Sequence, residues 1–264
     1  NQAVNGGGLW AYQNCWNCAN AEQVSIRANT ISDNRATANG GGLYGMLYGA
    51  TIIANNSLVG NTAGLLGGGI SLAAYDDRFT LVNNVLAANT AGKSGGGMSV
   101  AAHYSSNVSL TNNTVVENQA GNQGGGLELV LYEDTTTADL SNNIIWNNDS
   151  FNPGRDLSIE NDLDENYLGS ICTLSNNDFN QDGFGTFVHI PFPINASNLN
   201  NVDPLFVQPA ARDYRLSTGS RCLNSGSNSA PNLPATDIDA KTRIQDQVVD
   251  MGAYEGAFAR KNNP

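Results

Sequence analysis

Four ring side chains stand at one fixed distance from a run of glycines. Tyr48, Tyr75, His103 and Tyr132 each come six residues after the last Gly of a GGG triplet, and Tyr104 follows His103 directly. Beside them in the chain lie Asp76, Asp77, Glu133 and Asp134. Rings next to carboxylates suit a sugar-binding groove, because ring faces stack on the C–H faces of a sugar while carboxylates accept its hydroxyls. The plainer reading of the same column is that the rings stack on one another and only stabilise the fold. A hydrolytic reading uses Asp76, Asp77 and His103. Inverting glycoside hydrolysis needs two carboxyls roughly 6.5–9.5 Å apart, one donating a proton and one activating water.

Two further groups have metal-ligand or redox chemistry. Asp178, Asn180, Asp182 and Gly183 in "DFNQDG" reproduce the first half of a calcium loop, D-x-N-x-D-G. The twelfth position, where a bidentate acid belongs, is His189, so a complete EF-hand is excluded. What remains is a loop-type calcium site completed by other segments, or a solvated acidic turn built by Asn and Asp. The cysteines are Cys15 and Cys18 in "CWNC", then Cys172 and Cys222. CxxC is also the spacing of a redox pair or half a zinc site, but no second CxxC exists and His103 and His189 are far away. Structural disulfides are the expectation, with 15–18 and 172–222 the simplest pairing.

Such residues need a scaffold, and the chain writes one out four times. "IRANTISDNRATANGGGL" (26–43), "IANNSLVGNTAGLLGGGI" (53–70), "LVNNVLAANTAGKSGGGM" (81–98) and "LTNNTVVENQAGNQGGGL" (110–127) align without a gap. A fifth copy, "LSNNIIWNNDS" (140–150), starts in register and loses its glycines, while "NGGGL" at 5–9 closes a copy whose beginning is missing. The first column is apolar (Ile26, Ile53, Leu81, Leu110, Leu140). Three residues on, each copy has an Asn: Asn29, Asn56, Asn84, Asn113 and Asn143. A second Asn column follows five residues later, at Asn34, Asn61, Asn89, Asn118 and Asn148. Apolar residues at alternate positions, broken by Asn and Gly, describe short strands joined by sharp bends, and no stretch keeps a helical period.

A recurrence every 27 to 30 residues with about three short strands is one coil of a parallel β-helix. Coils stack about 4.8 Å apart, so equivalent residues lie above one another. Stacked Asn can pair amide to amide between rungs, and GGG gives a corner with no Cβ to strike the next coil. The glycines recur with no helix after them, which excludes a phosphate-binding loop. The expected fold is therefore all-β: a right-handed parallel β-helix over 1–150, then last irregular rungs and a C-terminal capping segment over 151–264.

The Asn and GGG-hydrophobic rhythm resembles right-handed β-helix surface proteins, including the chlamydial polymorphic outer-membrane proteins with their GGA-hydrophobic and FxxN repeats. The C-terminal stretches "VDPLFVQPAARDYRLSTGSRCLNSGS" (202–227) and "TDIDAKTRIQDQVVDMGAYE" (236–255) resemble the end of bacterial secreted β-helix proteins of the choice-of-anchor Q type. Asn224 and Ala240 replace that pattern's usual Asp and Gly. The resemblance implies a secreted protein at a bacterial surface and assigns no activity. The Asp76–Asp77 pair one rung from His103 is similar to polygalacturonases, yet the NTD, GHG and RIK surroundings of that family are absent.

Charge narrows the partners. With 24 acidic against 12 basic residues the chain carries a formal charge of −12, which argues against nucleic acid and anionic membrane surfaces. No run of about 18 apolar residues spans a bilayer, so direct membrane insertion is not expected. An even cysteine count in an acidic, Lys-poor, Asn-rich chain points to a secreted, extracellular setting. A structural or adhesive role with polysaccharide as ligand follows, the alternative being a polysaccharide-degrading hydrolase or lyase. Because "NQAVNGGGL" begins inside a rung, its open strand edges are expected to be covered by additional N-terminal rungs or by head-to-tail self-association.

Overall fold

The computed structural model describes residues 1–13, 23–132, 135–161, 171–188 and 193–256. Its strands are short because each repeat places a bend residue every few positions, and they stack in register into four parallel sheets. The first sheet holds two-residue strands: Gln2–Ala3, Arg35–Ala36, Thr62–Ala63, Thr90–Ala91, Gln119–Ala120 and Asp149–Ser150. The second, the widest, holds Leu9–Tyr12, Leu43–Leu47, Ile70–Tyr75, Met98–His103, Leu127–Leu131, Leu157–Asn161 and Thr186–Val188. The third runs from Val24–Arg27 to Ile171–Ser175, and the fourth from Thr30–Ser32 to Leu199–Asn200. Among the described residues this makes six four-stranded turns and a shortened last one. Each coil has four strands, not three. The extra strand is the pair that follows the second Asn column, too short to leave a period in the sequence.

The apolar columns fill the interior. Ile53, Leu81, Leu110 and Leu140 pair in register and are almost wholly buried. Both Asn columns are buried too, apart from the exposed Asn29 at the first rung, and every rung satisfies the one before it. Asn113 Oδ1 accepts from the backbone N–H and the Nδ2 of Asn84, both at 3.0 Å. Asn113 Nδ2 donates to Asn143 Oδ1 at 3.0 Å and to the Leu81 carbonyl at 2.9 Å. Buried amides are tolerated only when paired, and these are paired completely. The second ladder, through Asn89 and Asn118, stops at Asp156. That carboxylate accepts from Asn148 with one oxygen and from the Asn180 amide with the other. Burial pushes it up to about 6.

The glycine corner explains itself at Gly95 to Gly97. Gly95 sits at φ +69°, and a Cβ on Gly96 would run into the carbonyl of Gly125 on the next coil. The side chain that is missing is what lets the coils close.

From Phe206 onward the C-terminal segment runs back along the flank of the solenoid. A two-stranded antiparallel ribbon, Phe206–Gln208 with Asp213–Leu216, leads into a strap ending near Glu255. Tyr214, Leu216, Cys222, Leu223, Met251 and Ala253 bury themselves on the outward side chains of the fourth sheet, Val59, Val85, Ala87, Val116 and Ile144. A third Asn column pins the strap. Asn83, Asn112, Asn142 and Asn176 precede the ladder asparagines, adopt φ between +53° and +60°, and turn their amides outward. Their Nδ2 atoms donate to the carbonyls of Thr236, Asp250, Ser227 and Ser225 respectively, at 2.7 to 3.1 Å.

Within the strap the motif residues knot together around Arg243, which is 1% exposed. Its Nη2 donates to the Gly252 carbonyl, and Nη1 lies 3.8 Å from Glu255. Asp237 accepts from the amides of Lys241 and Glu255, and Asp250 from those of Asn224 and Gly256. Burial lowers the Arg243 guanidinium to about 10 and, helped by Asp250, raises Glu255 to about 8.

The disulfide 172–222 is also corrected. Both thiols are free and buried, but in different cores. Cys172 points into the solenoid interior, while Cys222 lies between strap and fourth sheet with Sγ 3.7 Å from Asp178 Oδ2. The coil wall separates them. Cys15 and Cys18 lie outside the described residues.

Candidate functional site

The ring column assembles where its spacing puts it. Tyr75 pairs in register with His103 at the end of the second sheet. Tyr48, Tyr75, His103 and Tyr132 form one stack along the axis, with centroids 4.4, 4.8 and 4.2 Å apart and planes within 12°. All four are half-buried. Burial, with Tyr48 next in importance, raises the Tyr75 phenol.

This stack changes the chemistry expected of it. Each inner ring spends both faces on its neighbours, so only ring edges of the half-buried ladder are left to the outside. It cannot offer a row of open faces to sugar rings. Tyr104 does stand clear, 41% exposed and tilted 6.1 Å from Tyr75 and 6.3 Å from His103.

Open faces occur on the same sheet nearer the N-terminus. The second sheet alternates strictly, with Leu43, Leu47, Ile70 and Leu72 inward and their neighbours outward. In register, the outward columns read Trp10, Tyr44, Ser71, Ser99, Glu128, Ser158 and Tyr12, Met46, Ala73, Ala101, Val130, Glu160. Trp10 and Tyr12 are 64% and 56% exposed, inclined at 45° with centroids 6.3 Å apart. Sequence reasoning missed both. The signal was there: they sit two and four residues after GGG in "GGGLWAY", the alternate positions that lead to the ladder offset.

Glu128 was missed as well. It faces outward yet is 7% exposed, and Ser99 donates to its Oε2 at 2.6 Å. Burial raises its carboxyl above the ordinary range against the hydrogen bonds of Ser99 and Ser94. Glu160, one rung on, accepts from Ser158 at 3.3 Å.

The other candidates separate. Asp76 lies at φ +56° in an exposed turn and Asp77 Oδ1 accepts from the Arg78 amide at 2.7 Å. His103 is held between two rings, so the trio Asp76, Asp77, His103 is a turn and a ladder rung. The half calcium loop does not converge. Asp178 is buried against Cys222 and the Val202 amide, and burial pushes it up to about 6. Asn180 and Asp182 instead close an exposed turn: Asn180 Oδ1 accepts from the Asp182 amide, and Asp182 Oδ1 from Phe184 and Gly185. Among the described residues no three His, Cys, Asp or Glu gather as metal ligands. Glu133 and Asp134 lie outside them.

Comparison with known proteins agrees with the geometry. Residues 3–145 match the family model described as the right-handed β-helix region. No curated protein matches the chain.

Proposed function

We propose that this chain, which belongs to the right-handed β-helix family, is an extracellular structural or adhesive protein that binds polysaccharide along the outer face of its second sheet. One observation carries the reading: exposed aromatic surface gathers on that face. Trp10, Tyr12 and Tyr44 lie on it, and the ladder from Tyr48 to Tyr132 borders it. Large exposed apolar surface on a folded chain marks an interaction site. Sheet strands 4.8 Å apart make that site long, flat and rigid, which fits a polymer better than a small molecule. Trp10 and Tyr12 supply open ring faces for sugar C–H groups, and the ladder supplies only ring edges beside them. The extracellular setting rests on the acidic, Lys-poor composition.

Glycan-array binding, followed by an assay for released reducing ends, tests this. Retention without release is expected, and Trp10→Ala with Tyr12→Ala should weaken retention about tenfold. Retention that the double variant leaves unchanged places the ligand elsewhere. Release of reducing ends would replace the adhesive role with hydrolysis.

A further inference from the structure

The strands of the second sheet contain no Lys or Arg, from Leu9–Tyr12 through Thr186–Val188. The carboxylates they carry are Glu128 and Glu160, both outward. Glu160 is half-exposed, in the column of Tyr12, and Glu128 lies one rung before it in the column of Trp10. Asp76 and Asp77 border the same face at the turn beside Tyr75. Lys93 lies near Glu128 and Arg78 follows Asp77, while Arg155, which precedes the Glu160 strand, is paired with Asp149 at 3.3 Å. An axial polymer that rests on Trp10 and Tyr12 therefore passes onto carboxylates, within a chain of formal charge −12.

We infer that the face selects polysaccharide bearing free amino groups, with Glu160 as the pairing carboxylate and Glu128 adding to the field beneath it. The inference rests on the polysaccharide-binding reading above. A hexosamine ammonium gains a counter-charge at Glu160 while other rings of the same polymer, about five strands away, keep the aromatic contacts. A neutral hexose keeps only those contacts, and a uronate meets like charge. The preference is electrostatic and partly exposed, so salt must weaken it.

Calorimetry with three β-1,4-linked hexamers, of glucosamine, glucose and glucuronate, tests selection with the ring geometry held constant. At low salt the glucosamine hexamer should bind about fivefold tighter than the glucose hexamer, and the glucuronate hexamer should not bind. The advantage should shrink toward parity in half-molar salt. Glu160→Gln, an isosteric change on a half-exposed side chain, should erase it while leaving glucose affinity unchanged, and Glu128→Gln should reduce it. Equal affinity for glucosamine and glucose, or a glucosamine advantage that survives in Glu160→Gln, overturns the inference and leaves the binding reading standing. Binding of none of the three overturns both.

Discussion

The second and fourth sheets are built alike, from stacked parallel strands with aliphatic side chains inward, yet their outer faces have opposite fates. The fourth sheet's outward Val59, Val85, Val116 and Ile144 are buried by the chain's own C-terminal strap. Among the described residues nothing comparable covers the second sheet's outward face, where Trp10 and Tyr12 stay 64% and 56% exposed. The chain spends some fifty residues hiding one apolar face. On the reading proposed above, the covered face serves stability and the open face serves recognition.

If the strap is an integral cover, removing its centre must be costly. Arg243→Met leaves Asp237 and Asp250 buried without their cation and should cost about 3–5 kcal/mol. Hydrogen exchange should show the loss in residues 206–255 first, with the second sheet still protected. Loss spread evenly over the chain would erase the distinction between the faces.

The strap should also respond to alkali. Glu255 is raised from its ordinary value to about 8, so the folded state keeps a proton that the unfolded chain has lost. Its stabilising contribution is full below about pH 4.5 and is lost as pH rises through 8. Between pH 6 and 8 the strap should weaken by about 2–3 kcal/mol, read as faster exchange around Glu255. Exchange that slows over this interval would contradict the assignment.

The ladders stabilise both faces from within. Asn113→Ala strands the donors of Asn84 and the Leu81 carbonyl, and should cost about 1–3 kcal/mol of thermal stability. Asn112→Ala removes an outward pin on the strap and the acceptor of the Asn142 amide, and should cost about 1 kcal/mol, seen mainly in the strap. If the two changes cost the same and act on the same segments, the inner and outer Asn columns have no separate roles.

The sequence made the coils legible because repetition carries their information. The shared column at Leu81, Leu110 and Leu140 gave the register, and the constant offset from GGG gave the ring ladder. The strap's path along the fourth sheet was not legible, because Val59 and Val116 look like any strand residue until their partners, Tyr214 to Ala253 far along the chain, are in place. The Asn83 and Asn112 column was invisible for the same reason. Cysteine counting could not tell that Cys172 and Cys222 stand on opposite sides of one wall. At the site, the offset that predicted a ladder already implied that its inner rings cover each other. The open rings, Trp10 and Tyr12, belonged to the incomplete first copy and so fell outside the aligned columns.

The most direct test is hydroxyl-radical footprinting of the wild-type chain with and without a polysaccharide that it retains. The account predicts that bound polymer lowers the oxidation of Trp10, Tyr12 and Tyr104, and leaves the exposed Phe151 and Val207 unchanged. Protection of Phe151 or Val207, with Trp10 and Tyr12 oxidised as before, would contradict it.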